Sequence, residues 1–362
     1  MKGILYVLLL IPGLTTGQNL VIPLPDSTRS VTIGGYIDTY YTYFSRDRNS
    51  DFSEYVPYLV NSSRKESFSV NLAMIDFKYQ SPFVRMRLSP GFGTYMNLNY
   101  AQEPGTLRNL VEANAGIKLS RKKEIWLDAG ILGSPYTNEN PLSRDHLMYT
   151  RSFSAENVPY YLCGLKVSTP ITETLNLHVY LINGWQVIDD TNRGKSIGTH
   201  LEYRPDKTTV INWSTYVGDE RNNPDPNYRL RLFTELNWYK RLTENWELTA
   251  CAFVGNQQYE NADDQNWWLI KAIGRYNFSA RSSLSARWEH LSDRGSVVIT
   301  NVDGVSGMMI SSTGLCYNYK LHSHALFRME GRYFYSPDSI YPDPNGLYSN
   351  ALMLAASLTA WF

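Results

Sequence analysis

Six histidines and three cysteines are the residues of this chain best suited to metal binding or nucleophilic chemistry, and their spacing decides what they can do. Zinc sites and disulfide frameworks need Cys or His in close groups. Cys163, Cys251 and Cys316 lie far apart and form no such group. His178 and His200 fall on neighbouring expected strands with the same inward parity, and Glu202 stands beside His200. That trio could bind a metal or exchange a proton. No further ligand completes it, however, and two wet wall residues explain the pattern more simply. His322 and His324 share a short turn without a third ligand. The segment "SRDH" (143–146) sets Ser, Asp and His together, but no G-x-S-x-G or similar context surrounds it. These residues predict no catalytic site, no metal site and no cofactor.

Charge is the richer signal. Lys plus Arg equals Asp plus Glu at 34 each, so the balance leaves no footprint for nucleic acid. The charges recur instead on one parity of period-two segments. Basic residues on that parity are Arg85, Arg87, Arg229, Arg231, Lys271, Arg275, Arg287, Arg328 and Arg332. Acidic ones are fewer: Asp38, Glu202, Glu235, Glu289 and Glu330. If that parity faces a narrow aqueous lumen, the basic excess gives a weak preference for anions, because ions in a tight passage feel wall charge strongly. Arg and Glu ladders that pair across strands fit the same residues equally well.

Strands must position such residues. In 228–241, "YRLRLFTELNWYKR", Leu230, Leu232, Leu236 and Trp238 share one parity, while Arg229, Arg231, Glu235, Asn237 and Arg241 take the other. One face is apolar and the other polar. Carried along the chain, this alternation predicts sixteen strands near 31–44, 66–80, 83–97, 107–119, 124–133, 157–169, 174–187 and 195–205, then 207–219, 228–241, 245–258, 265–278, 282–292, 306–320, 324–335 and 348–362. Counts of fourteen or eighteen remain open. In 68–79 the apolar parity switches, and a bulge near Met74 would re-phase it. The gaps alternate between very short ones and long ones rich in Asn, Asp, Pro and Gly. Long even-numbered strands with short turns on one side and long loops on the other are the pattern of an all-β, transmembrane antiparallel β-barrel. A bilayer offers no partner to backbone polar groups, so a spanning sheet has to close on itself.

The two ends of the chain agree. Lys2, the apolar run Ile4–Leu14 and the small residues Thr15-Thr16-Gly17 read as a secretory signal peptide over 1–17. Residues 18–30 would then be an N-terminal periplasmic segment and 31–362 the barrel. The last residues, "NALMLAASLTAWF", alternate up to the terminal Phe362. That ending is similar to the strand by which outer-membrane barrels are recognised by their assembly machinery. Trp185, Trp238, Trp246, Trp268 and Phe362 fall where aromatic belts would meet the two membrane surfaces. Asn183-Gly184 looks like a hairpin turn, but the parity of Leu175, Leu177, Val179 and Leu181 continues through Asn183 to Trp185. A strand passing through the pair, with Gly184 at a bulge or close approach, is the better reading.

The ordered set "TRSFSAENVPYYLCG" (150–164), "NGW" (183–185), "DDTN" (189–192) and "GTHLEYRP" (198–205) resembles the central region of the OmpL-like β-barrel porin family. Residues 45–65 show no family-like pattern. The resemblance implies an outer-membrane pore and carries over no catalytic residue. The expected partners are outer-membrane lipid, the assembly machinery and small polar solutes or ions, with homo-oligomerisation left open. The longest gap, 134–156, holds Glu139, Arg144, Asp145, His146 and Arg151 and is expected to fold inward and narrow the lumen. Two other classes compete: a surface binding or adhesion barrel with a plugged lumen, and an outer-membrane enzyme built on Asp145 and His146.

Overall fold

Period-two alternation becomes a closed wall in the computed structural model, which describes residues 20–23, 28–46, 54–190, 192–222, 225–299 and 307–362. The expected signal peptide lies outside the described residues. The wall begins with β1 (Ser30–Phe44), β2 (Ser69–Gln80), β3 (Val84–Phe92) and β4 (Leu110–Lys118). It continues with β5 (Trp126–Gly133), β6 (Tyr161–Pro170), β7 (Leu175–Ile182) and β8 (Ser196–Tyr203). Next come β9 (Thr209–Asp219), β10 (Tyr228–Arg241), β11 (Trp246–Tyr259) and β12 (Gln265–Asn277). The last four are β13 (Ser282–Asp293), β14 (Met308–His322), β15 (Ala325–Tyr335) and β16 (Asn350–Trp361).

Each strand pairs antiparallel with the next, and β16 returns to β1 in a register running from Met353 opposite Phe44 to Trp361 opposite Tyr36. The sixteen strands therefore leave no free edge. A further short strand, Leu20–Pro23, folds back on the first residues of β1. The chain end completes the seam: Gly35 N–H donates to the Phe362 carbonyl (3.1 Å), and Phe362 N–H donates to the Gly35 carbonyl (3.0 Å). A Cβ on Gly35 would lie 2.1 Å from the Phe362 ring, so the closest part of the seam accepts only glycine without a shift.

The solvent pattern is inverted relative to a water-soluble protein. Leu236, Leu315 and Met329 on the outer parity are each more than half exposed, whereas Arg328 and Arg332 on the inner parity are fully buried. A continuous apolar outer band of this kind belongs against lipid. No helix among the described residues is long and apolar enough to cross a membrane.

Strand ends depart from the sequence-based reading where the chain turns inward. β3 stops at Phe92 rather than 97, because Gly93 takes φ +124° and starts the short helix Thr94–Asn99. A Cβ there would sit 2.5 Å from the Asn71 carbonyl oxygen. β6 begins at Tyr161 rather than 157, and β7 ends at Ile182, its last ladder bond made by Asn183 N–H to the Cys163 carbonyl. The parity switch in β2 comes at Asn71, three residues before the expected bulge: Asp38 faces Leu72 while Thr39 faces Val70. Asn71 and Leu72 both point inward as a result, and Val70 and Ile75 point out.

Candidate functional site: the folded-in segment and the cavities beside it

The segment between β5 and β6 does not hang outside the barrel. It crosses the interior, and groups on β1, β9, β10, β12, β13 and β15 hold it there. Glu330 on β15 accepts N–H bonds from Tyr149 and Thr150 (both 2.9 Å) and the Thr150 hydroxyl (2.5 Å). Arg287 on β13 donates to the Thr150 carbonyl (2.8 Å) and pairs with Glu330 (2.7 Å) and Glu289 (3.2 Å). Glu289 accepts from Phe153 N–H (2.7 Å) and pairs with Arg332 (2.5 Å), which also donates to the Arg151 carbonyl (3.1 Å). Lys271 on β12 pairs with Glu139 (2.8 Å), and Glu235 on β10 accepts from Thr137 N–H (2.6 Å). Arg275 donates to the His146 and Leu147 carbonyls (2.7 and 2.8 Å), and Arg328 to that of Met148 (2.9 Å). On the opposite wall, Tyr136 hydroxyl donates to the Thr215 carbonyl on β9 (3.1 Å), and Ser143 N–H donates to Tyr36 Oη on β1 (2.9 Å).

The remaining inward charges pair along the wall. Arg85 grips Asp128 with both ends of its guanidinium (2.6 and 2.5 Å), and Arg87 joins Asp76 (2.8 Å) to Glu112. Glu202 takes Arg204 (2.8 Å), and Arg229 takes Glu260 near the long-loop end. Arg231 donates to Gln257 (2.7 Å) and lies over the Trp185 and Trp267 rings. Asp38 is buried, accepting from Asn71 (3.0 Å) and Thr359 (3.1 Å). The inward parity read from the sequence thus divides into residues that clamp the segment and residues that find partners along or across the wall.

Within the segment, Glu139 also accepts from Ser152 N–H and Oγ (both 2.8 Å). Burial opposes its ionisation, yet the Lys271 ammonium holds its carboxyl well below the usual range. His146 Nε2–H donates to the Asn140 carbonyl (2.7 Å), and its buried Nδ1 has no partner. Burial pushes this imidazole below its ordinary pKa, so it is held neutral. Asp145 accepts from Asn140 (2.7 Å) rather than from His146, so the "SRDH" segment makes no Asp–His dyad. Arg144 lies over the Tyr36 and Trp361 rings, and Arg151 over the Tyr160 ring at 4.6 Å. His178 and His200 neighbour each other with ring centroids 5.5 Å apart, but each bonds a serine, Ser168 and Ser214. No group of three metal-ligating side chains occurs among the described residues.

Two linked sequence readings need correction, the first being the strand expected through Asn183-Gly184, which ends at Ile182. Trp185 does not join an outer belt. The chain turns inward beyond Ile182, with Gln186 at φ +62°, and the indole sits in the lumen against Tyr136, Tyr216 and Phe233. Trp246, Trp268 and Phe362 do lie outward and exposed, and Trp238 lies on the outer parity, half-buried. Sequence reasoning also missed Glu103, Glu156 and Tyr160. Glu103 accepts from Tyr161 hydroxyl and the Ile188 and Asp189 N–H groups. Glu156 accepts from Tyr160 hydroxyl (2.8 Å), Val60 N–H (3.0 Å) and Asn61. These three sit in loops without period-two alternation, so no local pattern marks them.

The segment leaves space on both of its sides. A cavity of about 1220 Å³ opens to the long-loop face, lined by Glu103, Glu156, Tyr160, Trp185, Asp225 and Arg231 among others. A second, of about 500 Å³, lies between the segment and the β8–β10 wall, reaching Glu139, Arg151, Tyr160, Glu202 and Arg204. Tyr160 lines both. A third, of about 430 Å³, opens at the short-turn mouth beneath β10–β15.

Known structures share this architecture. The trimer form of OmpT from Vibrio cholerae matches at 10% identity and TM-score 0.59, over 92% of this chain and 100% of that one. The outer-membrane channel DcaP of Acinetobacter baumannii matches at 10% identity and TM-score 0.60, over 96% and 100%. The anion-selective porin from Comamonas acidovorans matches at 10% identity and TM-score 0.59, over 92% and 100%. At such identities the likeness is one of fold. No curated protein matches the sequence. The family model described as "Putative beta-barrel porin-2, OmpL-like" matches residues 30–362, the whole barrel, and the chain belongs to that family.

Proposed function

We propose that the protein is a passive outer-membrane pore for small polar solutes and ions, narrowed by the inward-folded segment 134–160. The observation that carries this reading is the pair of cavities on either side of the segment, both of them lined by Tyr160. The route then runs beside the segment along the β8–β10 wall, away from the barrel axis. Glu139, Arg151, Glu202 and Arg204 border it on the inner side, and Glu103 and Glu156 on the outer side. An acidic outer cavity and a basic short-turn mouth together favour a weak anion preference, less than the inward Arg count alone would give. Trp238, Trp246, Trp268 and Phe362 are assigned to the interfacial belts, and localisation is the bacterial outer membrane after export. No catalytic step is assigned.

Purified protein in a planar bilayer should give discrete conductance steps, with a reversal potential displaced toward the anion equilibrium value across a salt gradient. A cation-directed potential overturns the anion preference. A folded but silent barrel overturns the pore and favours a plugged binding barrel, the reading to which the tight packing of Phe153 and Tyr149 in the core lends support.

A further inference from the structure

The short-turn mouth beneath β10–β15 carries an unbalanced charge. Arg144, Arg241, Arg275, Arg281, Lys320 and Arg328 line its cavity, against two carboxylates, Glu244 and Glu247. Glu247 accepts from Tyr239 hydroxyl and Asn277 and pairs with none of these cations among the described residues.

Arg328 is the telling member. It is fully buried, as are its neighbours Arg287 and Arg332, but those two face Glu289 and Glu330. Arg328 has no carboxylate partner among the described residues. One nitrogen donates to the Met148 carbonyl, while its Nε and Nη2 have no acceptor. Arg275 likewise bonds two carbonyls and the Ser285 hydroxyl, and no acid. Asp38, an inward acid of β1, already accepts from Asn71 and Thr359. A buried guanidinium is normally paired, since leaving its donors empty costs several kcal/mol, on the order of 3–5 when one partner is missing. Arg328 lines the cavity with two donors that have no acceptor, and five further cations share that lining, a set suited to the charge-assisted bonds that oxyanions make.

We propose that this cavity is a binding site for small phosphate-bearing solutes, held by Arg328 and Arg275 at its floor and by Arg281 and Lys320 at its rim. Its volume falls in the usual range of about 300–1,000 Å³ for small-molecule sites, so it admits a phosphate ester as well as bare phosphate. The surrounding barrel wall keeps lipid headgroups out, and the ligand arrives from the short-turn mouth.

The test is calorimetric titration of the folded, detergent-solubilised protein with inorganic pyrophosphate at fixed ionic strength. Wild type should bind saturably. Arg328→Gln should weaken binding by about tenfold or more, as losing a charge-assisted bond does. The double variant Arg281→Gln/Lys320→Gln alters exposed rim residues and should weaken binding by about three- to fivefold. Heat-modifiable gel migration verifies folding, and if Arg328→Gln fails that check the rim variant decides alone. Absence of saturable binding by folded wild type overturns the site, as does unchanged affinity in the folded variants. Binding in detergent needs no conduction, so this result and the bilayer result stand or fall separately.

Discussion

At the residue scale, the interior shows why counting inward charges does not describe a pore. Glu330, itself buried, receives two backbone N–H groups, a hydroxyl and the Arg287 guanidinium. Removing one side of such a buried set leaves the other charge uncompensated, which costs about 3–5 kcal/mol. Glu330→Gln should therefore lower the thermal midpoint for conversion of the folded to the unfolded gel form by several degrees. Arg204→Gln, whose guanidinium is about half exposed beside Glu202, should shift it hardly at all, since exposed pairs contribute roughly 0–1 kcal/mol. Equal midpoints would show that the clamp on the segment is not a stabilising one. The charged parity was legible in the sequence because each strand displays it locally. The identity of each partner was not, because Glu330 meets Tyr149 and Thr150 from about 180 positions away.

At the element scale, the segment 134–160 is the main departure from a plain barrel. Most of the hydrogen bonds that Arg275, Arg287, Arg328 and Arg332 make to it go to its backbone carbonyls rather than its side chains. Deleting residues 137–147 should raise single-channel conductance severalfold and move the reversal potential further toward anions, because Lys271 and Arg275 would then face water. Unchanged conductance would place the narrowest point elsewhere. Strand boundaries were legible to within a residue or two from β8 to β16, where each strand has lipid on one face. They blurred at 93–97, 157–160 and 183–187, where the chain turns inward and apolar side chains pack on the folded segment. Val158 and Tyr160 are buried there, so apolar residues occur outside the lipid-facing parity and the alternation loses meaning.

At the scale of the whole molecule, the wall is uneven. Strands β3–β8 have eight to ten residues, while β9–β16 have eleven to fifteen. A tilted strand needs about 9–11 residues to cross the apolar band, so the low side covers it only marginally. Pairing with another copy would take that side out of contact with lipid, so the expected face for any homo-oligomer is β3–β8. With Cys163→Ser as background, Val167→Cys on the low wall should cross-link between copies under a short bifunctional thiol reagent. Leu236→Cys on the high wall should not. Cross-linking at neither position, or equally at both, would remove β3–β8 as the interface.

From the sequence alone follow an antiparallel barrel of about sixteen strands, the inward and outward parities, the short-turn and long-loop faces and a last strand that ends on Phe362. They follow because lipid outside and a polar interior impose the same period of two on every strand, a constraint visible within ten residues. Tertiary structure decided which inward charges clamp the segment, which pair along the wall and which lack a partner. It also moved Trp185 from the membrane surface into the lumen. Those outcomes depend on where a long loop comes to rest inside the barrel, and the contacts that settle it join residues far apart in the chain.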